Sequence, residues 1–368
     1  MIKFLLLFLL AIHLSIASAV ADDGIKYIYT SKRSPANAVV HYDGSFLVIG
    51  PQTYMLFNGN IAVFDGYAGP LDAKFSGPSS LKGYTNHIRK DKNGDLVVSG
   101  VNHDRSFSFD DQRQNFIALI QLKSFKIITE KNFSERVSLG IEVLEDGNFL
   151  ALAQGSGRYF KLSTLNEKLQ ILNTVAFGGG TTILNGSLAI TPEGNYAVLG
   201  FEGVGDNEVL PVYWEFSPEL QQIDKMVLMQ SSKKSGNDAV LEFIRNENSL
   251  YAAYGWDTGN TKDEAQNEVH LTKIKGTSVW KKDALMPYKA GMHFFATKTD
   301  PYVLYPRVDY LEKITFDSAT GERAVKKLNR PTDPVECFPP KKKYDIVDVV
   351  QSEAGVNYIS FSNTPLDK

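Results

Sequence analysis

Polar side chains that could do chemistry recur at one phase of a repeating pattern in this chain of 368 residues. A neutral histidine nitrogen can bind a metal or act as a base near neutral pH, and a carboxylate supplies charge or a hard-metal ligand. Counting back seven or eight residues from the repeated turns described below reaches these residue types. The candidate catalytic residues at or next to this phase are His87, His293, Glu242 and Asp348, and Asn37 is a binding candidate.

This set is compatible with a metal-assisted hydrolase or lactonase whose site lies at the mouth of a central channel. The spacing assigns no metal-ligand set, so the cofactor stays unknown, a divalent metal such as calcium being the candidate. The alternative is structural, because a water-filled channel commonly carries polar residues that bind only solvent. The chain contains no Gly-x-Ser-x-Gly or His-Glu-x-x-His sequence that would decide for catalysis.

Three polar stretches follow the repeated turns, at 100–113, 203–208 and 256–264. Long loops on a rigid scaffold are where binding residues concentrate. We expect these stretches to share one face of the molecule and to form a cluster of carboxylates with basic and aromatic neighbours. The binding candidates within them are His103, Asp104, Arg105, Asp206, Trp256 and Asp257.

Turns of the Asp-Gly or Asn-Gly type, each followed by an apolar run, must position all of these residues. Four units are clear and three are weaker, and they occupy 43–50, 93–100, 146–152 and 193–200, then 247–255, 300–305 and 354–361. The aligned position is glycine in five units, with Asn248 in the fifth and Pro301 in the sixth. Glycine accepts a positive φ cheaply, so a turn with glycine between two apolar runs predicts a tight hairpin. The units recur about every fifty residues, which leaves room for three or four strands each.

The repeat predicts an all-β fold, a seven-bladed β-propeller. The last unit stops shortly after its second strand, while the strand-like stretch Ile25–Thr30 has no unit of its own. In a closed ring this N-terminal strand would complete the last blade, which also removes exposed sheet edges. Six or eight blades stay open as alternatives because the fifth and sixth units are weak.

The first unit resembles the delta-60 repeat of secreted and surface bacterial β-propeller proteins. The resemblance is carried by Asp43-Gly44 with Gly50, by 61–64, and by 70–77, which resembles the Leu-Asp-x-x-Phe-Gly ending of that repeat. The second unit matches in part, through 116–122 and Asn132-Phe133, and later units keep only the hairpin. The resemblance implies the propeller fold and implies no reaction.

The N-terminus has the pattern of a secretory signal peptide. Lys3 precedes an apolar stretch at 4–17, and small-residue cleavage sequences end at Ala19 and Ala21. We therefore expect a signal peptide at 1–21 and a single propeller domain of about seven units at 22–368, secreted or periplasmic, with no membrane span in the mature chain. The lone Cys337 allows no internal disulfide, and a net charge of −3 gives no argument for a nucleic-acid partner.

The function predicted from these features is an exported, non-catalytic binding or interaction propeller. Its partner is expected to be a protein or a glycan, held by the loop-rich face. The metal-assisted hydrolase or lactonase is the alternative, and the sequence does not decide whether the protein is an enzyme.

Overall fold

A computed structural model describes the residues between Ile25 and Asn363, with gaps. The described ranges are 25–30, 38–42, 45–49, 53–58, 71–76, 84–102, 114–121, 126–135, 137–155, 159–178, 186–205, 208–229, 233–234, 238–257, 268–276, 280, 284–287, 292–307, 310–329, 344–351 and 357–363. Every regular element in these ranges is a β-strand. They contain no helix long and apolar enough to cross a membrane. The predicted signal peptide and Cys337 lie outside the described residues.

The described ranges contain 28 strands, and most of them belong to groups of four consecutive strands that form one sheet. The first five are β1 (Ile25–Thr30), β2 (Ala38–Tyr42), β3 (Ser45–Ile49), β4 (Thr53–Asn58) and β5 (Leu71–Ser76). The next eight are β6 (Tyr84–Lys90), β7 (Leu96–Asn102), β8 (Gln114–Gln121), β9 (Lys126–Phe133), β10 (Val137–Val143), β11 (Phe149–Gln154), β12 (Phe160–Leu165) and β13 (Ile171–Phe177).

The second half continues this order with one short extra strand. Its first strands are β14 (Gly186–Ile190), β15 (Tyr196–Gly205), β16 (Glu208–Phe216), β17 (Gln222–Val227), β18 (Lys233–Lys234), β19 (Asp238–Arg245), β20 (Leu250–Asp257) and β21 (Glu268–Lys275). The remaining strands are β22 (Ala284–Pro287), β23 (His293–Ala296), β24 (Pro301–Pro306), β25 (Tyr310–Phe316), β26 (Arg323–Asn329), β27 (Tyr344–Gln351) and β28 (Asn357–Asn363).

Within the described ranges, consecutive strands form antiparallel sheets. Five sheets have four strands each: β2–β5, β6–β9, β10–β13, β19–β22 and β23–β26. The β14–β17 sheet has the same order, with β18 added by pairing to β16. The last sheet joins β27 and β28 to β1, which lies parallel to β28 with Ile25 opposite Asn357.

The hairpins between first and second strands are set by the predicted glycine turns. Gly94, Gly147 and Gly194 have φ of +82°, +89° and +86° in the second, third and fourth units, which confirms the turns predicted there. Side chains of these turns accept backbone N–H groups; the Asp91 carboxylate accepts those of Asn93 and Asp95 at 2.8 and 2.7 Å. In the next two turns the Asp146 carboxylate accepts the Asn148 N–H at 2.9 Å, and the Thr191 hydroxyl accepts the Asn195 N–H at 3.1 Å.

The sixth unit forms its turn earlier than the sequence predicts. Pro301, aligned with the turn glycines, is already the first residue of β24. The turn is Thr297–Asp300, where the Thr297 hydroxyl accepts the backbone N–H of Asp300 at 2.9 Å. A capping threonine replaces the glycine signal, which is why the alignment on Asp-Gly placed this turn wrongly.

The hydrophobic core lies between sheets and follows the alternation of side chains along each strand. Phe149 and Leu165 of the β10–β13 sheet pack against Val97 and Ile117 of the β6–β9 sheet. The even-numbered side chains of β11 and β12 pack on the opposite side, against the β14–β17 sheet. The β10–β13 sheet is thus covered on both faces, as in sheets that stack face to face.

Aromatic rings fill the interface between the β10–β13 and β14–β17 sheets. Trp214 lies 5.5 Å from Phe160 and 5.4 Å from Phe177 in edge-on geometry, measured between ring centroids. Gly200 leaves room for this cluster, since a Cβ there would lie 2.8 Å from Phe160 Cε2 and 3.2 Å from Trp214 Cζ3. The glycine that ends the sequence motif of this unit is therefore required by close packing.

Two leucines in the left-handed region close the hairpins between third and fourth strands. Leu169 has φ of +58° and Leu220 of +64°, and both are buried. Each inserts into the interface with the preceding sheet, Leu169 beside Ile117 and Leu220 in the aromatic interface. Burial of an apolar side chain offsets a backbone conformation that is unfavourable for leucine.

Candidate functional site

The structure places the predicted catalytic candidates on first strands. His87 lies in β6, Glu242 in β19, His293 at the start of β23 and Asp348 in β27. First strands of successive sheets approach each other in the series β27, β2, β6, β10, β14, β19 and β23. Asn37 directly precedes β2 and lies outside the described residues, as do the side chains of His293 and Asp348.

Polar groups of the first strands bridge neighbouring sheets. The Glu242 carboxylate accepts the Phe294 N–H at 3.4 Å, and the Ser187 hydroxyl accepts the Phe243 N–H at 3.2 Å. At the turn side of β6, the guanidinium of Arg89 binds both carboxylate oxygens of Glu142 at 2.6 to 3.1 Å. Glu242 therefore contacts the neighbouring sheet, and its catalytic role stays a prediction.

The described residues contain no group of three or more His, Cys, Asp or Glu side chains arranged to hold a metal ion. His87 is partly exposed and has partners of its own. The predicted convergence of the four candidates at a channel mouth involves side chains outside the described ranges, so it stays a prediction.

Neighbouring sheets run in the same direction, as contacts between their turns show. Lys92 Nζ donates to the Asp146 carbonyl at 3.3 Å, and Asn246 Nδ2 donates to the Thr299 carbonyl at 2.8 Å. Each contact joins the first hairpin turn of one sheet to that of the next. We call this the turn end; the connections from second to third strands emerge at the opposite side, the loop end.

The polar stretch at 203–208 was predicted as a long loop, and this prediction is wrong. β15 runs to Gly205 and β16 begins at Glu208, so that only two residues, Asp206 among them, connect the strands. The hydrogen-bonded ladder between β15 and β16 extends past the apolar core, since Glu202 pairs with Leu210 and Gly203 with Val209. A β-bulge lies between Gly203 and Gly205.

Trp256 and Asp257 were also predicted in a loop and lie instead at the end of β20. They pair with Ala239 and Asp238 of β19. This places their backbone at the loop end, directly before the connection to β21. Asp206 and the stretch with His103, Asp104 and Arg105, which connects β7 to β8, lie outside the described residues.

A cleft of about 30 Å³, lined mostly by apolar side chains with a few polar ones, lies at the loop end, between the β6–β9 and β10–β13 sheets. Asn115, at the start of β8, and Glu135, just after β9, line one side, while Lys161 and Ser163 of β12 line the other. Glu135, with a side chain 8% exposed, forms an ion pair with Lys161. The Asn115 side-chain oxygen is buried and has no hydrogen-bond partner among the residues that the structure describes.

Sequence reasoning missed this cleft. The odd-numbered positions of β12 change from Leu165, which packs in the core, to Ser163 and Lys161 toward the loop end. On the adjacent strand the same face changes from Phe149 to the small Ala151 and Ala153 toward the loop end. This loss of side-chain volume on one face of two paired strands was the available signal, and it required the pairing to be recognised.

A second buried polar cluster is structural. Glu215 is 1% exposed and accepts hydrogen bonds from Asn195 at 2.8 Å and Tyr213 at 2.9 Å, and it forms an ion pair with Lys275 of the next sheet at 2.7 Å. Burial opposes its charged form, yet the hydrogen bonds from Lys275, Asn195 and Tyr213 outweigh it and hold the pKa of the carboxyl below its ordinary value. Burial, followed by the carboxylate, raises the pKa of the Tyr213 phenol, which keeps it a donor. The cluster joins two sheets at the turn end.

Comparison with known proteins addresses the fold. No family model and no curated protein matches the chain. Among solved structures, the WD40 repeats of RRP9 match with a TM-score of 0.54 and 13% identity, covering 88% of this chain and 86% of that one. The WD40 domain of Neurospora crassa Pan2 matches with a TM-score of 0.51 and 9% identity, covering 90% and 87%.

The extracellular domain of BT4673 from B. thetaiotaomicron also matches, with a TM-score of 0.51 and 11% identity. It covers 88% of this chain, which in turn covers 38% of that chain. At these identities the likeness concerns the fold alone. The chain has a repeat fold of the WD40 or propeller type, and no family comparison supports the delta-60 assignment.

Proposed function

We propose that this protein is an exported, non-catalytic binding propeller that recognises a protein or glycan partner through its loop end. In this proposal the sheets are seven blades of one ring, β1 completes the last blade, and residues 22–368 form the mature domain after removal of 1–21. The observation that carries it is the common direction of neighbouring sheets, which brings the second-to-third-strand connections to one end.

Neighbouring sheets contact each other both along their first strands and at their turns. First strands are joined in register, Glu242 to Phe294 and Ser187 to Phe243. The turns at the opposite end are joined in register as well, Lys92 to Asp146. Since the sheets that contain β7, β11 and β20 have the same antiparallel order, the connections after these strands leave from the loop end.

The composition of these connections suits recognition of a polar surface. The connection at 103–113 carries Asp104, Arg105 and two further Asp residues, and the one at 258–267 carries acidic, basic and amide side chains. Loops of this kind on a rigid sheet scaffold are typical binding elements. WD40-type propellers commonly serve as protein-interaction scaffolds, but a fold hosts many functions, so the proposal depends on the loop end and not on the likeness.

Substitution of both Trp256 and Asp257 by Ala is expected to weaken partner capture at least tenfold with little change in melting temperature. The tagged mature chain, 22–368, would be used to capture partners from the envelope or secreted fraction of its own host, read by mass spectrometry. Lys298→Ala, an exposed position at the turn end, is the matched control and should capture normally. Unchanged capture by the double variant, or capture of neither protein nor glycan by the unaltered chain, would contradict the proposal.

A further inference from the structure

We propose that the outer edge of β26 binds an extended acidic segment of a protein partner, which adds as a further antiparallel strand to the β23–β26 sheet. This edge is a different surface from the connections at the loop end, so the inference goes beyond the proposed function. The exposure of β26, its regular pairing with β25 and its basic side chains carry it.

The backbone of β26 is available to a further strand. β26 is the last strand of the described sheet, and every residue from Glu322 to Lys327 is exposed. The Asp317 N–H donates to the Glu322 carbonyl across the hairpin at 2.8 Å, so the Glu322 backbone points toward β25. Because these groups alternate in direction along an antiparallel strand, those of Arg323, Val325 and Lys327 point away from the sheet. They form a row of donors and acceptors at an open edge.

The pairing of β26 is regular, unlike that of other outer strands. Its ladder with β25 runs through seven consecutive pairs, from Tyr310–Asn329 to Phe316–Arg323, without a register shift. The ladders that join β5, β9, β13 and β17 to the third strands of their sheets each contain a shift. Bulges of this kind turn an edge away from unwanted partners. β26 therefore presents a continuous edge.

The side chains of β26 favour an acidic partner. Arg323, Val325 and Lys327 share one face of the strand, since side chains alternate, and Val325 is 55% exposed between the two cations. On the other face Lys326 lies opposite Lys313 of β25. Like charges opposite each other are unfavourable, and lysines at an edge repel most strands. Carboxylates opposite Arg323 and Lys327 turn this repulsion into attraction.

Acidic residues near this edge do not cancel its charge. The two strands β25 and β26 contain four basic residues and one acidic residue, Glu312. The Glu312 side chain is 14% exposed and forms an ion pair with Arg307 at 2.8 Å. Asp317 and Glu322 lie in the turn, at one end of the edge. The middle of the edge is therefore basic.

The alternation of side chains also gives the sequence pattern of the partner. Opposite residues of an antiparallel pair have their side chains on the same face. An apolar residue opposite Val325 therefore places the residues two positions before and after it opposite Lys327 and Arg323. The expected pattern is acidic-x-apolar-x-acidic. In strand addition of this type, main-chain hydrogen bonds give affinity and alternate side chains give specificity.

The experiment uses the labelled peptide Thr-Glu-Thr-Val-Thr-Glu-Thr and a counterpart with lysine in place of both glutamates. Binding to the mature chain, 22–368, is measured by fluorescence anisotropy at low salt. The acidic peptide is expected to bind at least tenfold more tightly than the basic one, and this preference should decrease as salt screens the charges. N-methylation of its valine, which removes a hydrogen bond to β26, should abolish binding. N-methylation of the next threonine, whose N–H points away from β26, should not.

A charge exchange tests the side chains. Arg323→Glu together with Lys327→Glu is expected to reverse the preference, so that the basic peptide binds at least tenfold more tightly than the acidic one. Lys168→Glu together with Lys298→Glu, at two exposed positions of the turn end, makes the same change in net charge and should keep the original preference. Melting temperatures identify a variant that fails to fold, and the two N-methylated peptides on the unaltered chain then decide.

Three results would overturn the inference: equal binding of the acidic and basic peptides, equal effects of the two N-methyl groups, or an unchanged preference in the folded Arg323→Glu, Lys327→Glu variant. A dimer of the unaltered chain that this variant loses, measured by sedimentation, would assign the edge to a second copy and overturn it as well. The Trp256 and Asp257 variant should bind the acidic peptide normally, so failure of the proposed function is distinguishable from failure at β26.

Discussion

At the scale of single residues, Glu215 shows how a buried charge is retained in this protein. A carboxylate excluded from water is tolerated only when its oxygens are hydrogen-bonded and its charge is paired. Asn195, Tyr213 and Lys275 satisfy both conditions, and Lys275 comes from the neighbouring sheet. The charged form of Glu215 is therefore part of the contact between two sheets.

Substitution of Glu215 by Gln is expected to destabilise the fold by about 1–3 kcal/mol at pH 7, because buried partners lose a charged acceptor. The pKa of Glu215 is lowered in the folded state, so the unfolded chain takes up a proton first as the pH falls. The contribution is thus complete above the ordinary carboxyl pKa of 4.5 and is lost as the pH falls through the folded value. Denaturant unfolding at pH 7, 5, 4 and 3 should show the gap between the two proteins closing.

The control for this prediction is Glu219→Gln, at an exposed position on the adjoining turn. Its stability should match that of the unaltered protein at each pH. A gap between Glu215→Gln and the unaltered protein that stays constant from pH 7 to pH 3 would show that ionisation of Glu215 does not stabilise the fold.

At the scale of elements, the hairpin between third and fourth strands is as important to sheet packing as the glycine hairpin. Leu169 and Leu220 reach from this turn into the preceding sheet interface. In the β23–β26 sheet the corresponding turn has Gly321, with φ of +77°, and Trp280, which lies between β21 and β22 in the chain, is 3.0 Å from where a Cβ would be. Trp280 Nε1 also donates to the Ser318 carbonyl at 3.2 Å. The space beside this turn is thus filled by a leucine of the turn itself in two sheets, and by Trp280 from the other side of the interface in a third.

Truncation of Leu169 is expected to reverse the usual order of alanine and glycine. Leu169→Ala should cost about 2–5 kcal/mol, because it removes buried apolar groups and keeps a side chain in the left-handed region. Leu169→Gly loses the same packing but relieves the backbone, so it should be more stable than Leu169→Ala by about 1 kcal/mol. Free energies of unfolding from denaturant titration would measure both.

Leu172→Ala serves as the matched control, since Leu172 is 57% exposed on the adjacent strand. It should change stability by less than about 0.5 kcal/mol. If Leu169→Gly is less stable than Leu169→Ala, the left-handed conformation of this turn is not a source of strain.

The sequence predicted elements well where a local signal decides them. Asp-Gly and its relatives mark the turns of Gly94, Gly147 and Gly194, and the stretch Ile25–Thr30 is the strand β1. Strand ends were harder, because the end of β15 at Gly205 depends on its partner β16 and not on its own residues. A leucine in the left-handed region contradicts local preference, so only the packing of the folded protein explains Leu169 and Leu220.

The candidate site was predictable in part. The location of His87 and Glu242 on first strands follows from the repeat alone. The cleft is different, since Asn115, Glu135 and Lys161 come from three strand ends of two sheets. No sequence interval relates these residues, and only the contact between the sheets brings them together.

At the scale of the whole molecule, β1 joins the N-terminal part of the described chain to its last sheet. Tyr27 and Ile28 lie opposite Ile359 and Ser360 in parallel pairing. Without β1, β28 would have an open edge, which is a site for unwanted strand pairing. A short strand thus connects residues that are more than three hundred positions apart.

Proline at one of two adjacent positions in β1 is expected to break this connection. Alternate N–H groups of a strand point to its partner, so either Tyr27→Pro or Ile28→Pro removes a ladder hydrogen bond to β28, while the other faces away. One of the two variants should lose about 1–3 kcal/mol of stability and the other much less. Thermal unfolding measures both; if neither variant is affected, β1 does not hold the last sheet.

The alternation along β11 and β12 has a consequence for how this protein can change. Neighbouring codons there specify contacts with different neighbouring sheets, since Leu150 faces one sheet and Ala151 the other. A library that randomises every second codon would therefore change the packing at one interface between sheets and leave the interface on the opposite face as it is. Substitutions can thus accumulate at one interface between sheets without changing the other.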